Sequence, residues 1–383
     1  MSSEWSLEKQ LESIASEVRR IEKGREMLVS VLKRFKNEEL FDEDLRRSFG
    51  ELVESRLAYP SPPIDLTGLK IACVDGGMVS RSLRLIDIIA VRAVAVIFKY
   101  EVGGSVSAFY YPREHPPPKI IFNVDPFSQA DFDVSAGLER LSHELDVAIN
   151  VQKEYSIDLL LMDGSLLPQA SDKPYTPELE AKYLKVVKLF ERLYSVCIKN
   201  GVSLAGVIKD TRSTRFVQLL SSIIPVLVER NPSLREILSF DYRSSIRSLT
   251  DSELLFRLLD KGERSMILRY SDNPCAHPVL KDLSREWRDK FYIMYLKPAE
   301  LDHPLRVEYL AMGNPTSEAR KVASAVMALS MYHPEHALPS VQLEAHVQAK
   351  LAEREVDFIC DQLAHKIGVP PSFLRTRDKL FLT

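Results

Sequence analysis

Two aspartates in this chain each follow an apolar run and precede a glycine. In LKIACVDGGMVSR, residues 69–81, four of the five residues before Asp75 are apolar or cysteine, and Gly76 and Gly77 follow. In IDLLLMDGSLLP, residues 157–168, Asp163 is followed by Gly164 and Ser165. A single Asp-Gly pair at a strand end is most simply a tight turn, since both residues tolerate turn dihedrals. Two such pairs, each closing a buried-looking strand, point instead to a site. Open α/β sheets bind ligands at the carboxyl ends of their central strands. Glycine beside the acid lets a ligand or metal approach the backbone. Paired carboxylates suit a hard cation such as Mg²⁺ or Mn²⁺, which takes oxygen ligands, and such a site calls for a third acid.

The helix expected at 136–154, AGLERLSHELDVAINVQKE, runs directly before the second strand and offers Glu139, Glu144, Asp146 and Glu154. Its apolar stripe of Leu138, Leu141, Leu145, Ala148 and Ile149 centres near Leu141 and Leu145. At about 100° per residue, Glu144 lies roughly 90° from that centre and the other acids lie further round. Glu144 therefore best flanks the buried face, although geometry alone leaves open a solvated helix acid. Lys209 follows the apolar run LAGVI and opens KDTRSTR, with Arg212 and Arg215 close behind. A lysine at a strand end with two arginines nearby would suit a phosphate backbone, and an ordinary polar turn stays open beside that reading. His346, in PSVQLEAHVQAK, stands among Leu343 and Val347 on the last helix. It reads either as a packing or surface residue or as a metal ligand or proton-transfer group.

The elements that would position these residues follow from periodicity. Leu7, Leu11, Ile14, Val18, Ile21, Leu28, Leu32 and Phe35 step by 4, 3, 4, 3, 7, 4 and 3, a heptad seam. That pattern fits a helix packed on its own domain or a protruding helix that meets a partner. Residues 1–57 are thus expected to form a helical arm, and 58–68, beginning AYPSPPID, a stiff proline-rich linker. A main domain spans 69–383, with strands at 88–102, SVSAFYYP and a short run within REHPPPKIIFNVDPF. A capped helix is expected over 176–201, a helical insertion over about 216–290 with a short strand at SMILRY, late strands at KFYIMYLKP and LRVEYLAM, and one long closing helix from LPSVQLEAHV to HKIG. Strands first, then strands alternating with helices, imply an α/β fold with a mixed sheet flanked by helices.

Composition narrows the classes. The 383 residues are 45% hydrophobic and 27% charged, enough to bury a large α/β core. The net charge of −3 gives no global attraction for nucleic acid, so weak DNA affinity by the protein alone is expected. The cysteines, Cys73, Cys197, Cys275 and Cys360, lack metal or disulfide spacing and fit a reducing cytoplasm. The amino terminus is polar and amphipathic, unlike a secretory signal, and no apolar run approaches the roughly 20 residues of a membrane helix.

The ordered set ACVDGG, LSHELDVA before LLLMDGSL, GVIKDTRS, FYIMYLKP with LRVEYL, and LPSVQLEAHVQAKL resembles the NurA nuclease family over residues from about 69 to 365. The resemblance implies an RNase H-like core and a Mn²⁺-dependent DNA nuclease, with Mg²⁺ as an alternative ion. It implies 5′→3′ exonuclease and single-strand endonuclease activity in DNA end processing. It also implies a homodimer acting with a HerA-type hexameric translocase. By this resemblance Asp75, Glu144 and Asp163 would hold one or two metal ions, with Asp75 as the bridge. His346 would complete the metal shell or move a proton, and Lys209 would neutralise a phosphate oxygen. Arg212 and Arg215 would flank Lys209 on the DNA. Two departures stand out: Gly77 replaces the serine usual after Asp-Gly, and the last helix keeps only Pro339 of a Tyr-Pro pair.

Two other functions compete. An actin-like or sugar-kinase-like ATPase also places Asp-Gly turns around phosphate, but it needs a late glycine-rich turn where this chain has only isolated glycines such as Gly262 and Gly313. A non-catalytic dimeric adaptor capping a ring translocase would need only the heptad helix.

Overall fold

The computed structural model describes residues 7–369, apart from 84–85, 125–126, 175, 210, 239, 248 and 333–334. The amino-terminal part holds α1 (Leu7–Phe35), α2 (Glu43–Ser48), β1 (Ala58–Pro60), β2 (Lys70–Ser82), β3 (Asp87–Tyr100), β4 (Val106–Tyr111) and β5 (Lys119–Asn123). The middle holds α3 (Gln129–Glu154), β6 (Leu159–Asp163), α4 (Pro177–Asn200), β7 (Ser203–Ile208), α5 (Arg215–Arg230), α6 (Pro232–Ile237), α7 (Tyr242–Arg247) and α8 (Asp251–Leu258). The remainder holds β8 (Glu263–Ser265), β9 (Leu268–Arg269), β10 (Phe291–Lys297), β11 (Leu305–Leu310), α9 (Pro315–Ser330), α10 (Ser340–Ala349) and α11 (Glu353–Ile367).

The apolar runs of β2, β6 and β7 become three adjacent parallel strands. Strands buried on both faces read as continuous apolar runs, because neither face meets water. β3 pairs antiparallel with β2, and β4 and β5 pair with β3. The order β4-β3-β2-β6-β7 is a meander of three strands extended by two parallel ones, the RNase H-like arrangement. β11, β10, β8 and β1 continue the sheet antiparallel beyond β7.

Side-chain alternation divides the core into two layers. Ala72, Val74, Leu160 and Met162 pack against Leu145 and Ala148 of α3 and Phe190 and Leu193 of α4. Ile71, Cys73, Leu161 and Ala205 pack on the other face against Val322 and Val326 of α9 and Val341 and Ala345 of α10. A third cluster joins Leu28 and Leu32 of α1 to Phe216, Leu220 and Leu255 of α5 and α8. Each fully buried leucine contributes about 1.5–3 kcal/mol, so the carboxyl-terminal half of α1 is anchored. Its amino-terminal half is not: Leu7, Leu11, Ile14 and Val18 are exposed. The heptad seam thus serves packing at one end and leaves an uncovered stripe at the other.

Several expected elements differ. The first aspartate does not end its strand, since β2 runs seven residues past Asp75 to Ser82 along β3. The expected linker is partly sheet: Ala58–Pro60 is an edge strand on β8, where Pro60 forfeits no central ladder bond. The α-helices of the 216–290 stretch stop at Leu258, and the strand expected at SMILRY is present as the two short strands β8 and β9. The closing helix is two, because Lys350 leaves the helical path and Arg92 Nη1 donates to its carbonyl at 2.8 Å. α9 adds a helix outside the expected elements; Asn314 caps it, accepting from Thr316 N at 2.9 Å, and Pro315 opens its first turn.

Candidate metal centre

β2 and β6 are parallel with Val74 opposite Met162, so the next residues on the two strands are Asp75 and Asp163. Both share the side-chain parity of Cys73 and Leu161 and project toward α10. That helix carries His346, whose Nδ1 lies 2.9 Å from Asp75 Oδ2 and 4.0 Å from Asp163 Oδ2. One ligating atom from each of Asp75, Asp163 and His346 falls within 4.8 Å of the others. Asp75 Oδ1 accepts from Gly76 N at 2.6 Å. Lys209, just past the end of β7, brings Nζ to 3.5 Å from Asp163 Oδ2. The two carboxylates offer the oxygen ligands that Mn²⁺ and Mg²⁺ take, and His346 adds a nitrogen donor.

Glu144 comes from the opposite face. α3 packs against β2 with the layer of Val74, and the Glu144 carboxylate lies against Gly76. A Cβ at Gly76 would collide with Glu144 Oε1, so glycine is what admits the acid. Arg140, one turn earlier, donates to Glu144 Oε1 at 2.6 Å. The compact three-residue cluster therefore excludes Glu144, which stands behind the strand.

Electrostatics reflect this crowding. Burial raises the Asp75 carboxyl, and the Asp163 charge raises it further; His346 and the Gly76 N–H oppose both. Burial pushes Glu144 up to about 8; the Arg140 guanidinium opposes this, and Asp75 and Asp163 add to it. Like charges held this close favour protonation or a bound cation.

Gln342 is a member of the site that the residue types alone did not reveal. Its Nε2 donates to Asp163 Oδ1 at 2.8 Å and to Val207 O at 3.2 Å, tying the acid to the neighbouring strand. The available signal was its spacing: it precedes His346 by one helical turn and shares its face. Arg212 is exposed on the rim of a cavity of about 590 Å³ that begins at Asp163 and Glu144 and extends to Arg306 and Glu308. Arg215 is not brought to the acids; its Nη2 is held by Glu51 Oε1 at 2.6 Å.

A profile of the NurA domain matches residues 69–351. Among solved structures, the chain is similar to the NurA nuclease from Sulfolobus solfataricus, at 15% identity and TM-score 0.53, covering 93% of this chain and 97% of that one. A NurA bound to dAMP and manganese is 14% identical with TM-score 0.43 over 99% of each chain. No curated protein matches the sequence significantly. The profile match takes in every strand of the RNase H-like core and all of α10, and the chain belongs to the NurA nuclease family.

Proposed function

We propose that this chain is a divalent-metal-dependent deoxyribonuclease that hydrolyses phosphodiester bonds, with Asp75, Asp163 and His346 as the metal-holding set. One observation carries this reading: these three residues converge from two strands and a helix to within 4.8 Å of one another. A divalent cation held there supplies Lewis acidity, lowering the pKa of an attacking water and neutralising charge on the phosphate. Glu144, behind Gly76, is the reserve carboxylate of the site, and His346, half exposed, is placed to ligate or to move a proton. Gln342 orients Asp163. Lys209 supplies a fixed ammonium beside Asp163 for a phosphate oxygen, and Arg212 on the cavity rim contacts the DNA backbone. Arg215, committed to Glu51, is left out of that interface.

Mn²⁺ is the preferred ion in this reading, with 5′→3′ exonuclease and single-strand endonuclease activity. The exposed amino-terminal stripe of α1 supports a homodimer docked on a HerA-type translocase that delivers the strand. The net charge of −3 fits weak DNA binding by the protein alone. Tight binding at physiological salt with a steep salt slope would remove the need for a delivering partner.

The deciding experiment is cleavage of end-labelled single- and double-stranded DNA with Mn²⁺, Mg²⁺ or EDTA, beside folded Asp75→Asn. Metal-dependent cleavage that the variant lacks is the expected result. No cleavage by the folded protein, with or without a HerA-type partner, would favour the adaptor that the uncovered stripe of α1 also fits.

A further inference from the structure

Beyond the acid cluster, a buried polar chain runs under both loops that border the cavity. Glu308 of β11 is 1% exposed. Its Oε1 accepts from Arg306 Nε at 3.0 Å and Nη2 at 2.8 Å. Its Oε2 accepts from Ser165 Oγ at 2.7 Å and Leu166 N at 3.1 Å. Ser165 and Leu166 form the turn that leaves Asp163, and Tyr194 OH holds the Leu166 carbonyl from α4. The turn lies directly over Gly206, which pairs with Glu308 across β7 and β11, and a Cβ at Gly206 would strike Gly164 O. On the other side, Arg306 Nη1 donates to Ser213 Oγ at 2.9 Å. Ser213 Oγ donates in turn to Asp251 Oδ2 at 2.7 Å, at the start of α8. Ser213 belongs to the segment that begins with Lys209. One ion pair thus grips the loop after Asp163 with one end and the loop after Lys209 with the other.

A buried ion pair is a weak source of stability, because its attraction barely offsets its desolvation. Two loops bonded to its outer sides give it a geometric role. We propose that Arg306 and Glu308 form a positioning pair that fixes the Asp163 and Lys209 loops relative to each other, and so sets the metal affinity and turnover of the site. The pair sits in the cavity wall and leaves ligation to the acids. The proposal rests on the nuclease reading above.

The test compares wild type with two variants. Arg306→Met/Glu308→Leu replaces the pair by apolar side chains of similar volume, and Ser165→Ala removes one donor from the turn. Mn²⁺ alone is titrated by electron paramagnetic resonance without DNA, and kcat and KM for DNA cleavage and the thermal melt are measured in parallel. The expected result is about tenfold weaker Mn²⁺ binding and about tenfold lower kcat in the double variant, with KM little changed and a smaller shift the same way in Ser165→Ala. A folded double variant with wild-type Mn²⁺ affinity and kcat overturns the proposal, wherever its melting temperature falls. If the double variant does not fold, Ser165→Ala decides by the same criterion. Wild type that binds Mn²⁺ yet cleaves no DNA sinks the nuclease reading, while the Mn²⁺ shifts still judge the pair.

Discussion

The chain uses Asp-Gly twice, and the two pairs do different physical work. At Asp75-Gly76-Gly77 the backbone stays extended and in register with β3, and the strand continues. Its glycines answer crowding from outside: Gly76 faces the Glu144 carboxylate, and Gly77 faces the Ala349 carbonyl at the end of α10. At Asp163-Gly164 the strand ends, and Gly164 takes φ +133°, a region that side-chain-bearing residues rarely adopt. Among the described residues, no neighbour crowds the position of its missing Cβ. The first pair is glycine for space and the second is glycine for conformation, although both place an acid just past the last parallel pair of β2 and β6.

The largest effect falls on what the pairs share. Asp75→Asn and Asp163→Asn should each lower single-turnover cleavage roughly a thousandfold or more, since close-set acids act as a unit. A variant retaining a tenth of the activity would remove its residue from the metal set. Smaller, but able to separate the pairs, are the glycine substitutions. Gly76→Ala should cost about 1–3 kcal/mol in a urea melt through overpacking, and Glu144→Ala in the same chain should recover most of it. Gly164→Ala should cost about 1–3 kcal/mol of backbone strain, which Glu144→Ala leaves untouched. Equal rescue of both would erase the distinction.

The α10 side chains come next. His346→Ala and Gln342→Ala should each weaken Mn²⁺ binding by about 10–100-fold, read by calorimetry with the protein still folded. Unchanged affinity in His346→Ala would leave that residue a proton-transfer role only.

The smallest effect is on pH dependence. The Glu144 carboxyl sits at about 8 in the folded chain against its ordinary value of 4.5. The folded state therefore binds the extra proton between those values, and this group's contribution to stability falls as pH rises from 4.5 to about 8. Metal-free protein should lose part of its stability over that window, and Glu144→Gln should flatten the loss. A loss of the same size in Glu144→Gln would assign it to other groups.

Much of the site could be read from local pattern. Asp75 and Asp163 stood out because an acid after an apolar run breaks a buried strand's composition, and Lys209 stood out for the same reason. Glu144 emerged only as the acid flanking a helical stripe. That placement is correct for the helix, but it says nothing about which face of the sheet the helix covers. Arg215 looked equivalent to Arg212 in KDTRSTR, yet Glu51, more than 160 positions away in sequence, pairs with it. Gln342 carried only a spacing signal, because an amide on a helix has many uses.

Composition and periodicity were enough to specify the apolar strands, the acids that follow two of them and the amphipathic helix beside them, since burial on one face or two imprints itself on neighbouring residues. Only the folded chain decided that β2 continues past Asp75, that the closing helix breaks at Lys350, and that Glu144 and His346 reach the site from opposite faces. Those outcomes depend on register between strands and on close approach of distant backbone. Gly76 beside Glu144, Gly77 beside Ala349 and Arg92 on the Lys350 carbonyl are contacts across long stretches of chain, and no local window of residue types encodes them.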